Sequence, residues 1–186
     1  MLKVAITGNI ASGKSTVESF LKEKGFKVLD ADHIGHTILN NNKDVMEAFK
    51  DFDILENGDI SRTKLGIVVF NHPEKLELLN SILHPQIRQK IEEFFNNNNN
   101  EDTVYVSIPL LFETNMQDMF DKIIFIYTDD NIRLQRLMAR NGYSEEYAKK
   151  RISSQIPQEK KLEKCDVVIN NNGSIEDLQN QIHLCL

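Results

Sequence analysis

Eight residues, Gly8-Asn9-Ile10-Ala11-Ser12-Gly13-Lys14-Ser15, restrict the folds open to this chain more than any others. They follow an alternating apolar run (Leu2, Val4, Ile6) and precede a helical pattern (Val17, Phe20, Leu21). A strand, a glycine loop and a helix in that order make a P-loop, which holds the phosphates of a nucleoside triphosphate. Gly8 and Gly13 let the backbone approach those phosphates closely. Consecutive N–H groups of the loop then form a nest for anions, and the helix starting near Lys14 adds the partial positive charge of its N-terminus. Lys14 is expected to reach the β- and γ-phosphates, and the Ser15 hydroxyl to ligate Mg²⁺.

The rest of the chain alternates strand and helix signals. Residues 2–7 read as the first strand and 14–24 as its helix, with Gly25 as the stop. Phe26-Lys27-Val28-Leu29 reads as a second strand ending at Asp30. Residues 31–95 look helical and carry no convincing strand. Asn57-Gly58 is a turn signal, Ser61 caps a helix bearing Leu65, Val68 and Val69, and Pro73 and Pro85 stand where further helices begin. The asparagine run 96–100 reads as a loop. Residues 103–108, 122–127 and 166–169 read as three more strands. Thr128 with Asp129 and Asp130, Ser144 with Glu145 and Glu146, and Ser174 are helix starts. This alternation predicts an α/β domain, a five-stranded parallel sheet covered on both faces with its ligand at the strands' carboxyl ends. The stretch 31–95 is too long for a simple crossover and is expected to form a cap over the substrate.

Composition narrows the function classes. A chain of 186 residues fits one domain with a real core. A net charge of −6 speaks against a sequence-independent grip on nucleic acid. No apolar run approaches a membrane span, and the loop starts too early to leave room for a signal peptide. The two cysteines, Cys165 and Cys185, read as reduced thiols of a cytoplasmic protein. No heptad seam stands out, so a monomer is favoured.

Two further clusters bear on chemistry. In Asp30-Ala31-Asp32, alternate residues of an extended segment face one side. One carboxylate could then accept the proton of an attacking hydroxyl while the other orients Mg²⁺ or its waters. An N-cap with an acidic first turn accounts for the tripeptide equally well. Arg133, Arg136 and Arg140 share one helix face. They read either as cations for a transferring phosphoryl group or as a solvated face with Asp129 paired to Arg133.

At this point the chain resembles the dephospho-CoA kinase family over nearly its whole length. The resemblance runs through Thr7-Gly8 to Lys14-Ser15-Thr16, Val28 to Asp32, Asn57 to Arg62, Ile82-Leu83-His84-Pro85 and Pro109-Leu110-Leu111-Phe112-Glu113. It continues in Arg136 to Arg140, Arg151-Ile152, Gln155 and Asp166 to Gly173. The resemblance implies a P-loop NTPase fold, three-layer α/β/α, in three parts. These are a core of about 1–30, 103–128 and 165–186, a helical acceptor-binding insertion of about 31–95 and a lid of about 133–160. It also implies a reaction, in which ATP phosphorylates the ribose 3′-hydroxyl of dephospho-CoA to give CoA and ADP, the last step of coenzyme A biosynthesis. Asp32 matches the catalytic base, with Lys14 and Arg140 as catalytic cations. The ATP-binding set is Gly8, Asn9, Ile10, Ala11, Ser12, Gly13, Lys14, Ser15, Thr16, Arg136, Arg140 and Asn171, the last near the adenine. Thr7, Asp32, Arg62, His84, Pro109 and Leu110 match acceptor positions, and Ser15 the Mg²⁺ ligand. The expected partners are these small molecules, with neither nucleic acid nor membrane.

The sequence departs from the family pattern in places. Asn9 and Ala11 replace common glycines, Ser107 stands where members often have an aspartate, and Cys165 replaces an alanine. The competing readings are another P-loop small-molecule or nucleotide kinase, and a nucleotide-binding regulatory module. A guanine-specific switch would carry an Asn-Lys-x-Asp tetrad, and this sequence has none.

Overall fold

The computed structural model describes residues 1–185. Two compact units divide it: Met1–Leu29 together with the chain from Asn97 onward, and Asp30–Asn96.

The first unit is built on a five-stranded parallel sheet of order β2-β5-β1-β6-β7. Its strands are β1 (Leu2–Thr7), β2 (Lys27–Asp30), β5 (Thr103–Ser107), β6 (Lys122–Tyr127) and β7 (Val167–Asn170). The two strands between β2 and β5 in the chain form a separate hairpin, described below. β1 is central. It pairs with β5 on one side (Ile6 opposite Ser107) and with β6 on the other (Thr7 opposite Phe125). Apart from their first or last residues, β5 and β6 are buried along their length, as a parallel sheet sandwiched between helices requires. The chain crosses from one side of β1 to the other between β5 and β6. That switch point, at the strands' carboxyl ends, is where open α/β sheets bind ligands.

Helix α1 (Lys14–Glu23) and helix α9 (Ile175–His183) cover one face of the sheet. Val17, Phe20 and Leu21 of α1 and Leu178 and Ile182 of α9 pack with Val4, Ile6, Tyr105, Ile124, Ile126 and Ile169. Each such side chain contributes about 1.5–3 kcal/mol when fully buried. α1 stops as its sequence foretells. Gly25 takes φ 88°, and the N–H groups of Lys24 and Gly25 return to the carbonyls of Phe20 and Lys22. α9 opens with a capping box, in which Ser174 and Asp177 satisfy each other's backbone N–H groups. Three helices lie between β6 and β7: α6 (Asp130–Asn141), α7 (Glu145–Ser153) and α8 (Gln158–Leu162). Ser144 caps α7 by accepting from the Tyr147 N–H.

The second unit holds α2 (Ala31–Asn40), α3 (Lys43–Ala48), α4 (Arg62–Asn71) and α5 (Pro73–Asn97). Leu39, Val45, Phe49, Ile54, Ile60, Leu65 and Leu79 make its own core. Three details differ from the sequence reading. Residues 31–95 do contain strands, a short hairpin of β3 (Leu55–Glu56) and β4 (Asp59–Ile60) around the Asn57-Gly58 turn. Pro85 starts no helix but sits inside α5, which runs on from Pro73 into the asparagine run. Ser61 occupies the N-cap position of α4 without a side-chain capping bond.

Candidate active site

The loop after β1 is shaped by its glycines. A Cβ on Gly8 would stand 2.6 Å from the Ile126 carbonyl oxygen and from Ser12 Oγ, so no other residue fits there. Gly13 takes φ 94°, and a Cβ there would run into the Asn171 side-chain amide. Ala11 lies at φ 62°, a left-handed conformation that strains an alanine by about 1–2 kcal/mol. Lys14 Nζ arches back over the loop and donates to the Gly8 carbonyl at 2.9 Å. A cation held across the mouth of an N–H nest at a helix N-terminus is a site for a polyanion. Thr7 Oγ1 and Ser12 Oγ are buried at this loop without a hydrogen-bond partner among the described residues.

Side chains from β6, α6 and the loop after β7 hold the loop from outside. The Ser12 carbonyl accepts from Thr128 Oγ1 at 3.0 Å and from Asn171 Nδ2 at 2.8 Å. Thr128 is therefore a buried loop anchor, and the N-cap position of α6 falls to Asp129. Asn171, expected near an adenine, spends its amide N–H on the loop. Arg136 Nη2 donates to the Asn171 carbonyl at 3.0 Å, which brings its guanidinium to Gly13. Arg133 is not part of a solvated face. It is 2% exposed, pairs with Asp130 rather than Asp129 at 2.6 Å, and donates to the Ile10 carbonyl at 3.3 Å. Arg140 is exposed and donates from Nε to Asn141 Oδ1 at 2.9 Å. The structure thus gives the three arginines three surroundings: one in the core, one on the loop and one at the surface.

The carboxylates after β2 also divide. Asp30 accepts from the N–H groups of Asp32 and His33 at 2.9 and 3.2 Å and caps α2. Asp32 lies in the first turn of α2 with its side chain exposed. Elsewhere in the second unit, Arg62 opens α4 and is exposed. His84 is half-buried in α5, and burial pushes its pKa below the usual histidine value.

Comparison with known proteins decides among the phosphate-binding readings. The family model for dephospho-CoA kinases matches residues 2–177. The chain is 42% identical to the dephospho-CoA kinase of Geobacillus kaustophilus, covering 97% of this chain and 93% of that protein. It is 44% identical to the one from Carboxydothermus hydrogenoformans, covering 96% and 90%. The solved dephospho-CoA kinase of Campylobacter jejuni superposes with a TM-score of 0.77 at 36% identity over 98% of this chain and 94% of that one. This chain belongs to the dephospho-CoA kinase family. Its fold is the three-layer P-loop kinase fold.

One departure from the pattern of dephospho-CoA kinases and one residue of a matching motif gain a physical account. Ser107, at the carboxyl end of β5, donates to Glu18 Oε1 at 2.6 Å. A carboxylate is thus present at this strand end, but it comes from α1, one helical turn beyond Ser15. Sequence reasoning missed Glu18, and its spacing of three from Ser15 was the available signal. Glu113, the last residue of the Pro109–Glu113 motif, faces α8: its Oε1 lies 2.7 Å from Lys161 Nζ and accepts from the Ile156 N–H at 3.3 Å. In the same motif Leu111 and Phe112 are buried, while Pro109 is half-buried and Leu110 exposed.

Proposed function

We propose that this chain transfers the γ-phosphoryl group of ATP to the ribose 3′-hydroxyl of dephospho-CoA, giving CoA and ADP, the last step of coenzyme A biosynthesis. The observation that carries this reading is membership of the dephospho-CoA kinase family along nearly the whole chain, P-loop included. The nest of the loop and Lys14 take the triphosphate. Arg136, held at Gly13, neutralises phosphate charge, and Arg140 is assigned to the same task from the far end of α6. Asp32 accepts the proton of the attacking 3′-hydroxyl, as its exposed carboxylate allows. Arg62, His84, Thr7, Pro109 and Leu110 are assigned to the acceptor, the unit Asp30–Asn96 to acceptor binding and α6 to α8 to a lid.

Among the described residues no three His, Cys, Asp or Glu side chains cluster into a metal cage. Mg²⁺ needs none, since it binds through a few protein oxygens, waters and substrate phosphates. The Ser15 hydroxyl and the Glu18 carboxylate, on one stretch of α1, fit that donor set. When bound, the ion would offset negative charge on the phosphates, with Ser15 and Glu18 as the protein groups that would hold it. No helix among the described residues is long and apolar enough to cross a membrane. Cys165 and Cys185 are both free, which suits the cytoplasm we assign.

The test is ADP release with Mg²⁺ and ATP, comparing dephospho-CoA, shikimate, gluconate, AMP, CMP and no acceptor. Release with dephospho-CoA alone, with CoA as product, is expected. Release with another acceptor would overturn the acceptor assignment, and equal release with none would favour a regulatory nucleotide-binding module.

A further inference from the structure

The phosphate loop is held on its outer side by a segment far away in the chain. Residues 154–157 join α7 to α8. Gln155 Oε1 accepts from the Ile10 N–H at 2.7 Å, across 145 residues of sequence. One residue on, the Ile156 carbonyl accepts from Asn9 Nδ2 at 3.0 Å. The other polar group of Ile10, its carbonyl, accepts from the buried Arg133. Both backbone groups of Ile10 are therefore satisfied by side chains from beyond the loop. The next residue is Ala11, at a left-handed φ of 62°. Such a conformation persists only where the surroundings hold it.

The joining segment is itself fixed. The Ile156 N–H donates to Glu113 Oε1, which pairs with Lys161, 1% exposed. Gln158 Nε2 donates to the Thr128 carbonyl at 3.0 Å and to Asp130 Oδ1 at 2.9 Å. A rigid seat thus carries one side-chain oxygen to one loop N–H.

We propose that Gln155 is a positioning residue for the phosphoryl donor: through Ile10 it holds the first half of the phosphate loop in its anion-binding shape. This rests on the reading of the loop as an ATP site. Gln155 acts through Ile10 and is not assigned a contact with the nucleotide. Its effect belongs to the phosphate part of ATP and not to the acceptor.

The experiment compares wild type with Gln155→Met, which keeps length without the oxygen, and with the smaller Gln155→Ala. Titration calorimetry gives Kd for ATP and for inorganic triphosphate, and steady-state kinetics give KM for each substrate. Both variants are expected to weaken ATP and triphosphate by the same factor, about five- to tenfold, as the loss of one part-buried backbone partner implies. KM for dephospho-CoA should stay at its wild-type value, and the Tm of the unliganded protein should fall by no more than about 2–4 °C, the size of one such bond. Unchanged ATP and triphosphate affinity in both variants would overturn the proposal. So would a larger fall in Tm with a parallel rise in KM for dephospho-CoA, the mark of general loosening. The calorimetric arm needs no acceptor: if wild type bound ATP but did not act on dephospho-CoA, the acceptor assignment would fail and the role of Gln155 would still be decided.

Discussion

Two aspartates separated by one residue do different work because of one backbone turn. Asp30 ends β2 in an extended conformation, and its carboxylate folds onto the first N–H groups of α2. Its Oδ1 accepts both of these N–H groups and so is committed to the cap. Asp32, two residues on, already lies in the helix and projects outward. The tripeptide by itself admits both an N-cap and a catalytic carboxylate, and the structure assigns the cap to Asp30. The proposed base role is therefore tested on Asp32. Asp32→Asn should lower kcat by about 10²–10⁴, the range for a lost general base, with Kd for ATP near wild type. Asp30→Ala should instead lower stability by about 1 kcal/mol, as lost N-caps do. Rapid-quench kinetics and urea unfolding on the two variants check this division. An unchanged kcat in Asp32→Asn would remove the base from the mechanism.

At the scale of the element, α5 shows where local rules yield to packing. Proline favours the first turn of a helix, so Pro85 reads as a start. Inside α5 it denies the Ser81 carbonyl its usual donor. The helix nevertheless continues, with Leu79 buried before the proline and Ile91 and Phe95 after it. This is tertiary packing overriding a local signal, and no periodicity count near residue 85 exposes it. The neighbouring His84 carries a pH consequence. Burial lowers its pKa in the folded chain below the ordinary value of 6.5. Between the folded value and 6.5 the unfolded chain binds this proton and the folded chain does not, so stability rises with pH through that window. Below it the stabilisation of the neutral form is lost. Urea unfolding between pH 5.5 and 7.5 should show wild type losing more stability on acidification than His84→Gln. Equal slopes would mean that His84 is as easily protonated in the folded chain as in the unfolded one.

Across the whole molecule, the phosphate loop was legible because all of its chemistry lies in consecutive residues. The sheet was legible for a similar reason: β6 is an apolar run from Ile123 to Tyr127, β5 centres on Val104, Tyr105 and Val106, and α9 announces itself with Ser174 and a helical repeat. What the sequence could not disclose are pairings set by the fold. Ile10 meets Gln155, Ser12 meets Asn171 across 159 residues, and Glu18 meets Ser107 across 89. No local pattern encodes these, nor the bond of the buried Arg133 to the Ile10 carbonyl. The same distribution yields a test on the intact chain. The loop and the partners described above lie in one compact unit, Met1–Leu29 with the chain from Asn97 onward. A ligand that binds only the folded state stabilises it by about 2.7 kcal/mol at one hundred times its Kd. For a chain of this size that corresponds to a rise in Tm of about 5–10 °C. Scanning calorimetry with Mg²⁺ and ATP should show this rise in the transition of that unit. Lys14→Ala should abolish it, because Lys14 is the cation proposed to hold the phosphates on this loop. A full ATP-induced rise in Lys14→Ala would mean that the nucleotide is held elsewhere than on this loop.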